Sequence, residues 1–167
     1  MSSSPLYVLD TNIFVQAYKT YYSFDLAPSF WKLIVEQAKR GKILTIDRAK
    51  QEIDSYNKDD PLKKWADMKI DTWCKSTNDT KVISSYVQII DWVMKQNSIK
   101  DYAKEEFGRI CDSWIIAFAH AYSCTVVTQE KYDSNCKKRV KIPNVCEAFH
   151  VPYMGTFEMM RKLNMHF

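Results

Sequence analysis

The run Leu6-Tyr7-Val8-Leu9-Asp10-Thr11-Asn12 constrains this chain more than any other stretch. A short apolar segment rich in β-formers stops at a carboxylate, a hydroxyl and an amide. Ile13, Phe14 and Ala17 then resume at helical spacing. Such a run reads as a strand buried on both faces of a parallel sheet. Ligands of open α/β sheets bind outside the carboxyl ends of the strands, so Asp10 stands where chemistry is commonly done. An Asp that closes a strand can equally cap the next helix, and the placing of the other acids decides between the two.

The remaining pattern alternates strand and helix. Ser29 can cap a helix bearing Phe30, Trp31, Ile34, Val35 and Ala38, closed by Gly41. Residues 42–46 read as a second strand, and Asp47 caps a helix through Tyr56. Pro61 opens a helical stretch, 61–108, expected as a helical insertion within a single domain spanning 1–167. Its clearest piece carries Val82, Ile83, Tyr86, Val87, Ile90, Val93 and Met94 at steps of three and four. Trp65, Trp73 and Trp92 within it read as core or interface residues. Asp112 opens a strongly apolar helix, and residues 124–127 form a strand. A short strand is expected over 140–142, a helix capped by Asn144 through Phe149, and a last helix over 156–163. This alternation specifies an α/β protein, three layers deep, with a central parallel sheet covered by helices on both faces. The length suits one domain, and only 3 glycines and 5 prolines argue against a sandwich of many tight turns.

Composition narrows the function classes. The five cysteines are odd in number, show no C-x-x-C pair and lie partly within apolar runs, as free thiols of a reducing cytoplasm do. His120, His150 and His166 show no zinc-ligand spacing with them. The start is polar, and the longest hydrophobic segment, 114–122, is far short of a membrane span. A soluble, cytoplasmic protein with no membrane partner is therefore expected. The net charge is +4. If cations neutralise several acids, the remaining surface becomes more basic and suits a polyanion.

Four acids fall where a parallel sheet would gather them. Asp10 leaves the first strand, Glu52 lies on the helix after the second, Asp112 opens the apolar helix, and Glu130 follows strand 124–127. One helix, one turn and one strand separate Asp112 from Glu130, so the chain returns to the end from which it left. Each acid also has an ordinary reading. Asp10 and Asp112 can be helix caps, Glu52 a solvated helix residue, and Thr128 and Glu130 turn residues. A strand ending in Asp also opens haloacid-dehalogenase phosphatases, but those need a second Asp two places on, where Asn12 stands here. Asp133 reads as a loop residue.

Val8-Leu9-Asp10-Thr11-Asn12, then Glu52, then Asp112 with Ile115-Ile116-Ala117 and Ala119, then Val126-Val127-Thr128-Gln129-Glu130 together resemble a PIN domain. The likeness extends to Tyr21-Tyr22-Ser23-Phe24-Asp25, Pro28-Ser29-Phe30-Trp31 and Lys141-Ile142-Pro143-Asn144-Val145-Cys146-Glu147. These resemble one branch of the superfamily, long catalogued as a prokaryotic domain of unknown function and grouped with toxin–antitoxin modules. The resemblance implies a PIN-like fold and a magnesium- or manganese-dependent endoribonuclease similar to the VapC-type toxins, with one or two ions. It implies Asp10, Glu52, Asp112 and Glu130 as catalytic metal ligands, and Thr11, Asn12 and Thr128 as residues that orient ligands or waters. Its partners would be RNA and a cognate antitoxin, and a homodimer is compatible with it. Alternatives are an inactive PIN-like RNA-binding or scaffolding module, and a housekeeping RNA-processing nuclease without an antitoxin. Many PIN domains carry Asp at the fourth acidic place, where this chain has Glu130, one methylene longer.

The chemistry agrees with the residue types. Two carboxylates ~4–5 Å apart at an effective dielectric of ~20 repel by roughly 3–4 kcal/mol, so a shared cleft must protonate them or admit a cation. Oxygen donors select magnesium or manganese. Lys131, Lys137, Lys138, Arg139 and Lys141 form either a solvated charge run or a phosphate track. Tyr21 and Tyr22 either pack a loop or stack on unpaired bases.

Overall fold

A computed structural model describes residues 6–167. The first strand, β1 (Tyr7–Leu9), is wholly buried and hands over through Asp10 to helix α1 (Thr11–Gln16), which continues as one π-helical turn, Ala17–Tyr21. Helix α2 (Pro28–Lys39) ends at a turn where Gly41 adopts φ +73°, and β2 (Ile43–Ile46) follows, buried at every position. Helix α3 (Asp47–Asp54) starts directly on leaving β2. Helix α4 (Pro61–Lys69) is capped by Asp60, whose carboxylate accepts from the Leu62 and Lys63 amides at 2.8 and 3.3 Å. A 3-10 turn leads into the edge strand β3 (Cys74–Lys75). Helices α5 (Thr80–Met94), α6 (Asp101–Arg109) and α7 (Cys111–Tyr122) precede β4 (Thr125–Val127). Helix α8 (Ile142–Ala148), strand β5 (Tyr153–Met154) and helix α9 (Thr156–Lys162) complete the chain.

The five strands lie in the order β3-β2-β1-β4-β5, and every pairing is parallel. β1 is central, with Val8 opposite both Leu44 and Val126. Because strand side chains alternate in direction, Val8, Leu44, Ile46 and Val126 join one core with α5, α7 and α8, while Tyr7, Leu9, Ile43 and Val127 join another with α1, α2, α4 and α9. This is the expected three-layer arrangement. It places the carboxyl ends of β1, β2 and β4, the start of α3 and the start of α7 at one edge of the sheet. Among the described residues no helix is long and apolar enough to cross a membrane.

Several local expectations differ from the structure; neither Ser29 nor Asp47 is a cap, because α2 already begins at Pro28 and α3 at Asp47 itself. The stretch 61–108 is not purely helical: Thr45 and Ile46 pair with Cys74 and Lys75, so it also supplies β3. It is woven into both layers. Trp65 and Trp73 pack on Phe14 with ring centroids 5.9 and 6.2 Å away, and α5 lies along α7. No strand forms over 140–142; Ile142 instead begins α8, with Pro143 in its first turn. Asn144 is therefore no cap, and its side chain ties the loop before α8 through the Asp133 amide at 3.1 Å and carbonyl at 2.8 Å. The cysteines meet the expectation: all five are free, with Cys111, Cys124 and Cys146 buried.

Helix α7 is the element on which the site stands. Ile115, Ile116, Ala117, Phe118 and Ala119 are all buried, so the helix is enclosed on nearly every side. Ser123, at φ 54°, turns the chain sharply into β4. Truncating Ile116 to Ala in this enclosure should destabilise the protein by about 2–5 kcal/mol. Urea unfolding monitored by circular dichroism checks this, and the denaturant slope should stay unchanged.

Candidate active site

At the carboxyl edge of the sheet, Asp10 is only 1% exposed and Asp112 only 7%. Asp10 ends β1, and its backbone amide donates to the Val127 carbonyl at 3.1 Å, which fixes the strand exit against β4. Asp112 lies in the first turn of α7, where the helix dipole favours a negative charge. Glu52, half-buried on α3, accepts from the Cys111 amide at 3.3 Å, so α3 meets the start of α7 through this carboxylate. Glu130, half-buried beyond β4, accepts from the Ile142 amide at 2.7 Å and pairs with the Arg139 guanidinium. The structure thus brings together the four acids expected from the sequence.

Their electrostatics follow from burial. Desolvation first, then repulsion from Glu130 and Glu52, pushes the Asp10 carboxyl up from 3.8 to about 7, although the Asn12 amide and the Thr128 hydroxyl pull the other way. Desolvation likewise pushes Asp112 up to about 8, helped by the charges of Asp10, Glu130 and Glu52 and opposed by Arg139. Burial first, then the charges of Glu52, Asp10 and Asp112, raises the Cys111 thiol, which leaves it protonated and without nucleophilic character at neutral pH. Among the described residues, Asp10 Oδ1 is buried and has no hydrogen-bond partner. A buried carboxylate oxygen without a donor is costly, and it is the atom here best suited to receive a cation.

Other expected site residues separate into two groups. Thr128 belongs with the acids: its hydroxyl donates to Asp10 Oδ2 at 3.4 Å and accepts from the Glu130 amide at 3.1 Å. Asn12 lines a cavity of about 310 Å³ with Asp10, Gln16, Gln129, Glu130 and Arg139. Thr11 turns its hydroxyl to Cys111 Sγ, 3.9 Å away. Lys131, Lys137 and Lys138 are exposed, and Lys141 immediately precedes α8. Tyr21 is 70% exposed, whereas Tyr22 is stacked on Phe30 at 4.4 Å and 7°, so the loop-packing reading holds for its ring.

Arg139 is the residue whose place the sequence pattern does not convey. It belongs to a run of charges, yet its guanidinium enters the acidic cavity, pairing with Glu130 and lying 3.9 Å from Asp112 Oδ2. With Glu130 held by Arg139 and Ile142, and Glu52 held by Cys111, the acids do not all point to one centre. Among the described residues no three His, Cys, Asp or Glu side chains converge on a single cation position as they stand. On the Glu52 side, Arg48 and Arg109 line a second hollow, and Arg48 stacks on Trp114 with its guanidinium carbon 3.9 Å from the ring. Arg48 precedes Glu52 by one turn of α3, whereas nothing in the sequence marks Arg109, whose place beside Glu52 depends on how the end of α6 packs near α3 and α7.

Comparison with known proteins bears on the fold. A family model described as "Domain of unknown function (DUF4411)" matches residues 7–167. No curated protein matches the chain. Among solved structures, VapBC2 from Rickettsia felis, bound to a DNA fragment from its promoter, is similar with a TM-score of 0.54 at 14% identity, over 90% of this chain and 98% of that one. FitAcB from Neisseria gonorrhoeae is similar with a TM-score of 0.51 at 15% identity, over 89% and 96%. At such identities the likeness concerns the fold, which is the PIN-like α/β/α architecture expected from the motifs.

The raised acids set a pH dependence for the metal-free protein. The folded chain binds the Asp10 and Asp112 protons more tightly than the unfolded chain, where both carboxyls return to about 3.8. The stability they contribute is complete below that value and is lost as the pH rises through about 7 to 8. In chelator, the melting temperature should therefore fall between about pH 5 and about pH 9, and Asp10→Asn should flatten that fall.

Proposed function

This chain belongs to the DUF4411 family and carries a PIN-like fold, and from that premise we propose that it is a magnesium- or manganese-dependent endoribonuclease. The observation that carries this reading is the pair of buried, mutually repelling carboxylates Asp10 and Asp112, with Asp10 Oδ1 left without a donor. An arrangement that raises two carboxyls towards neutrality and leaves an oxygen unpaired fits a hard divalent cation, and the all-oxygen donor set fits magnesium or manganese.

In this reading Asp10 and Asp112 are the principal ligands, and Glu52 and Glu130 complete the set directly or through water. The chemistry such a cation supplies when bound is acidification of a water and neutralisation of charge on the attacked phosphate. Thr128 holds Asp10 through its hydroxyl and so fixes the carboxylate's orientation. Arg139 lies beside the acids, where it can meet a phosphate oxygen once its ion pairs yield. In-line hydrolysis at phosphorus leaves a 5′-phosphate and a 3′-hydroxyl. RNA as the substrate, and a cognate antitoxin as the protein partner, rest on the resemblance to VapC-type toxins, with which the likeness to VapBC2 accords.

The ion pair of Arg139 with Glu130 favours a second reading, a PIN-like module that binds RNA without cutting it, because the guanidinium already supplies a counter-charge. Cleavage of single-stranded RNA in manganese separates the two. Asp10→Asn should lower cleavage at least about a hundredfold, and Thr128→Val by about ten- to a hundredfold, with folding intact by circular dichroism. Full cleavage by Asp10→Asn would rule out the assignment, and absence of cleavage by the wild type would favour the second reading.

A further inference from the structure

A further cavity, of about 300 Å³ and distinct from the hollow beside Glu52, adjoins the acidic one, and Arg139 lines both. It lies among the C-terminal part of α5, the loop after β4 and the start of α8, with Trp92, Tyr132, Ser134 and Lys141 in its wall. The loop is held in place. The Lys100 amide donates to the Lys137 carbonyl at 2.9 Å, and the Asn144 side chain bonds both the amide and the carbonyl of Asp133. Trp92 is half-buried and packed edge-to-face against Phe149 at 5.9 Å and 79°, which fixes its ring. Tyr132 is 48% exposed. Glu147, the acid in this wall, accepts from the Tyr153 hydroxyl at 2.7 Å, and Arg139 and Lys141 set two cations against this one carboxylate.

This is the chemistry that an unpaired nucleobase needs: an aromatic face, polar groups for its edge, and a cation where its phosphate leaves. We propose that the cavity is a subsite for an unpaired nucleobase of single-stranded RNA, with Arg139 receiving the phosphate that joins this nucleotide to the acidic cavity. The identity of that phosphate as the one next to the cleaved bond rests on the nuclease reading; the base subsite itself does not. The guanidinium stands on the boundary of the two cavities because Glu130 and Asp112 hold it there. A strand crossing that boundary puts a base on one side and a backbone linkage on the other. The acidic cavity is then a place for the backbone, and the aromatic one selects for a base that is free of a pairing partner.

Affinity for a labelled single-stranded RNA, measured by fluorescence anisotropy with calcium as the divalent cation, tests the subsite. Tyr132→Ala removes an exposed ring, and Ser134→Trp fills the cavity from an exposed loop position, so neither disturbs the core. Each should weaken binding roughly five- to a hundredfold, the usual range for loss of one stacked base. A fully abasic strand of the same length should bind the wild type with a similar deficit and should not distinguish the variants. Variants that bind as the wild type does, or that lose as much affinity on the abasic strand as on intact RNA, would overturn the proposal. Cleavage in manganese by the wild type reports separately on the nuclease reading. Base-dependent binding without cleavage sinks that reading and upholds the subsite; cleavage with affinity indifferent to bases sinks the subsite alone.

Discussion

Asp10 and Asp112 are withdrawn from water within reach of each other's charge, and the surrounding structure is arranged around the cost of keeping them there. Asp10 is fixed at the exit of the central strand by the hydrogen bond from its amide to the Val127 carbonyl, and Asp112 lies in the first turn of a helix whose next turns are buried on almost every side. Three things can make such a pair tolerable: protonation, a neighbouring cationic side chain, or a bound cation. The first appears in the raised carboxyls and the second in Arg139. The third is the one the proposed activity uses.

Glu130 takes a different part from the other acids. It lies between the Arg139 guanidinium and the first amide of α8, so it closes a helix start and an ion pair at once. Its reach accounts for both contacts; an Asp at this position would be one methylene shorter. Arg139 is thereby held on the boundary between an acidic cavity and an aromatic one. The basic loop thus positions one cation accurately and leaves Lys131, Lys137 and Lys138 in solvent, from where their charge would draw in the RNA that the proposed function requires.

The parts of this architecture that were legible in the sequence are those carried by local pattern. The apolar run ending at Asp10 announced a buried parallel strand, and the apolar helix behind Asp112 announced an enclosed one, so the two central acids could be placed from residue order alone. The two-residue strands β3 and β5 left no periodicity to detect and exist because β2 and β4 offer them an edge. Residues 140–142 alternate apolar and polar as a strand does, yet Pro143 and the distant Glu130 carboxylate, which receives the Ile142 amide, start a helix there. Arg139 looked like one member of a charge run because its partner Asp112 is remote in sequence. Tyr22 could not be told from a base-stacking residue until its ring was seen lying flat on Phe30.

The buried Asp10–Asp112 pair is proposed to keep hold of protons until a divalent cation replaces them. Calorimetric titration of manganese into metal-free protein near neutral pH, repeated in buffers of differing ionisation enthalpy, tests this directly, because cation binding to protonated ligands must release protons. The wild type should bind manganese with release of protons, and Asp112→Asn should lose that binding. Absence of binding by the wild type, or binding in Asp112→Asn equal in affinity and proton release to the wild type, would contradict it.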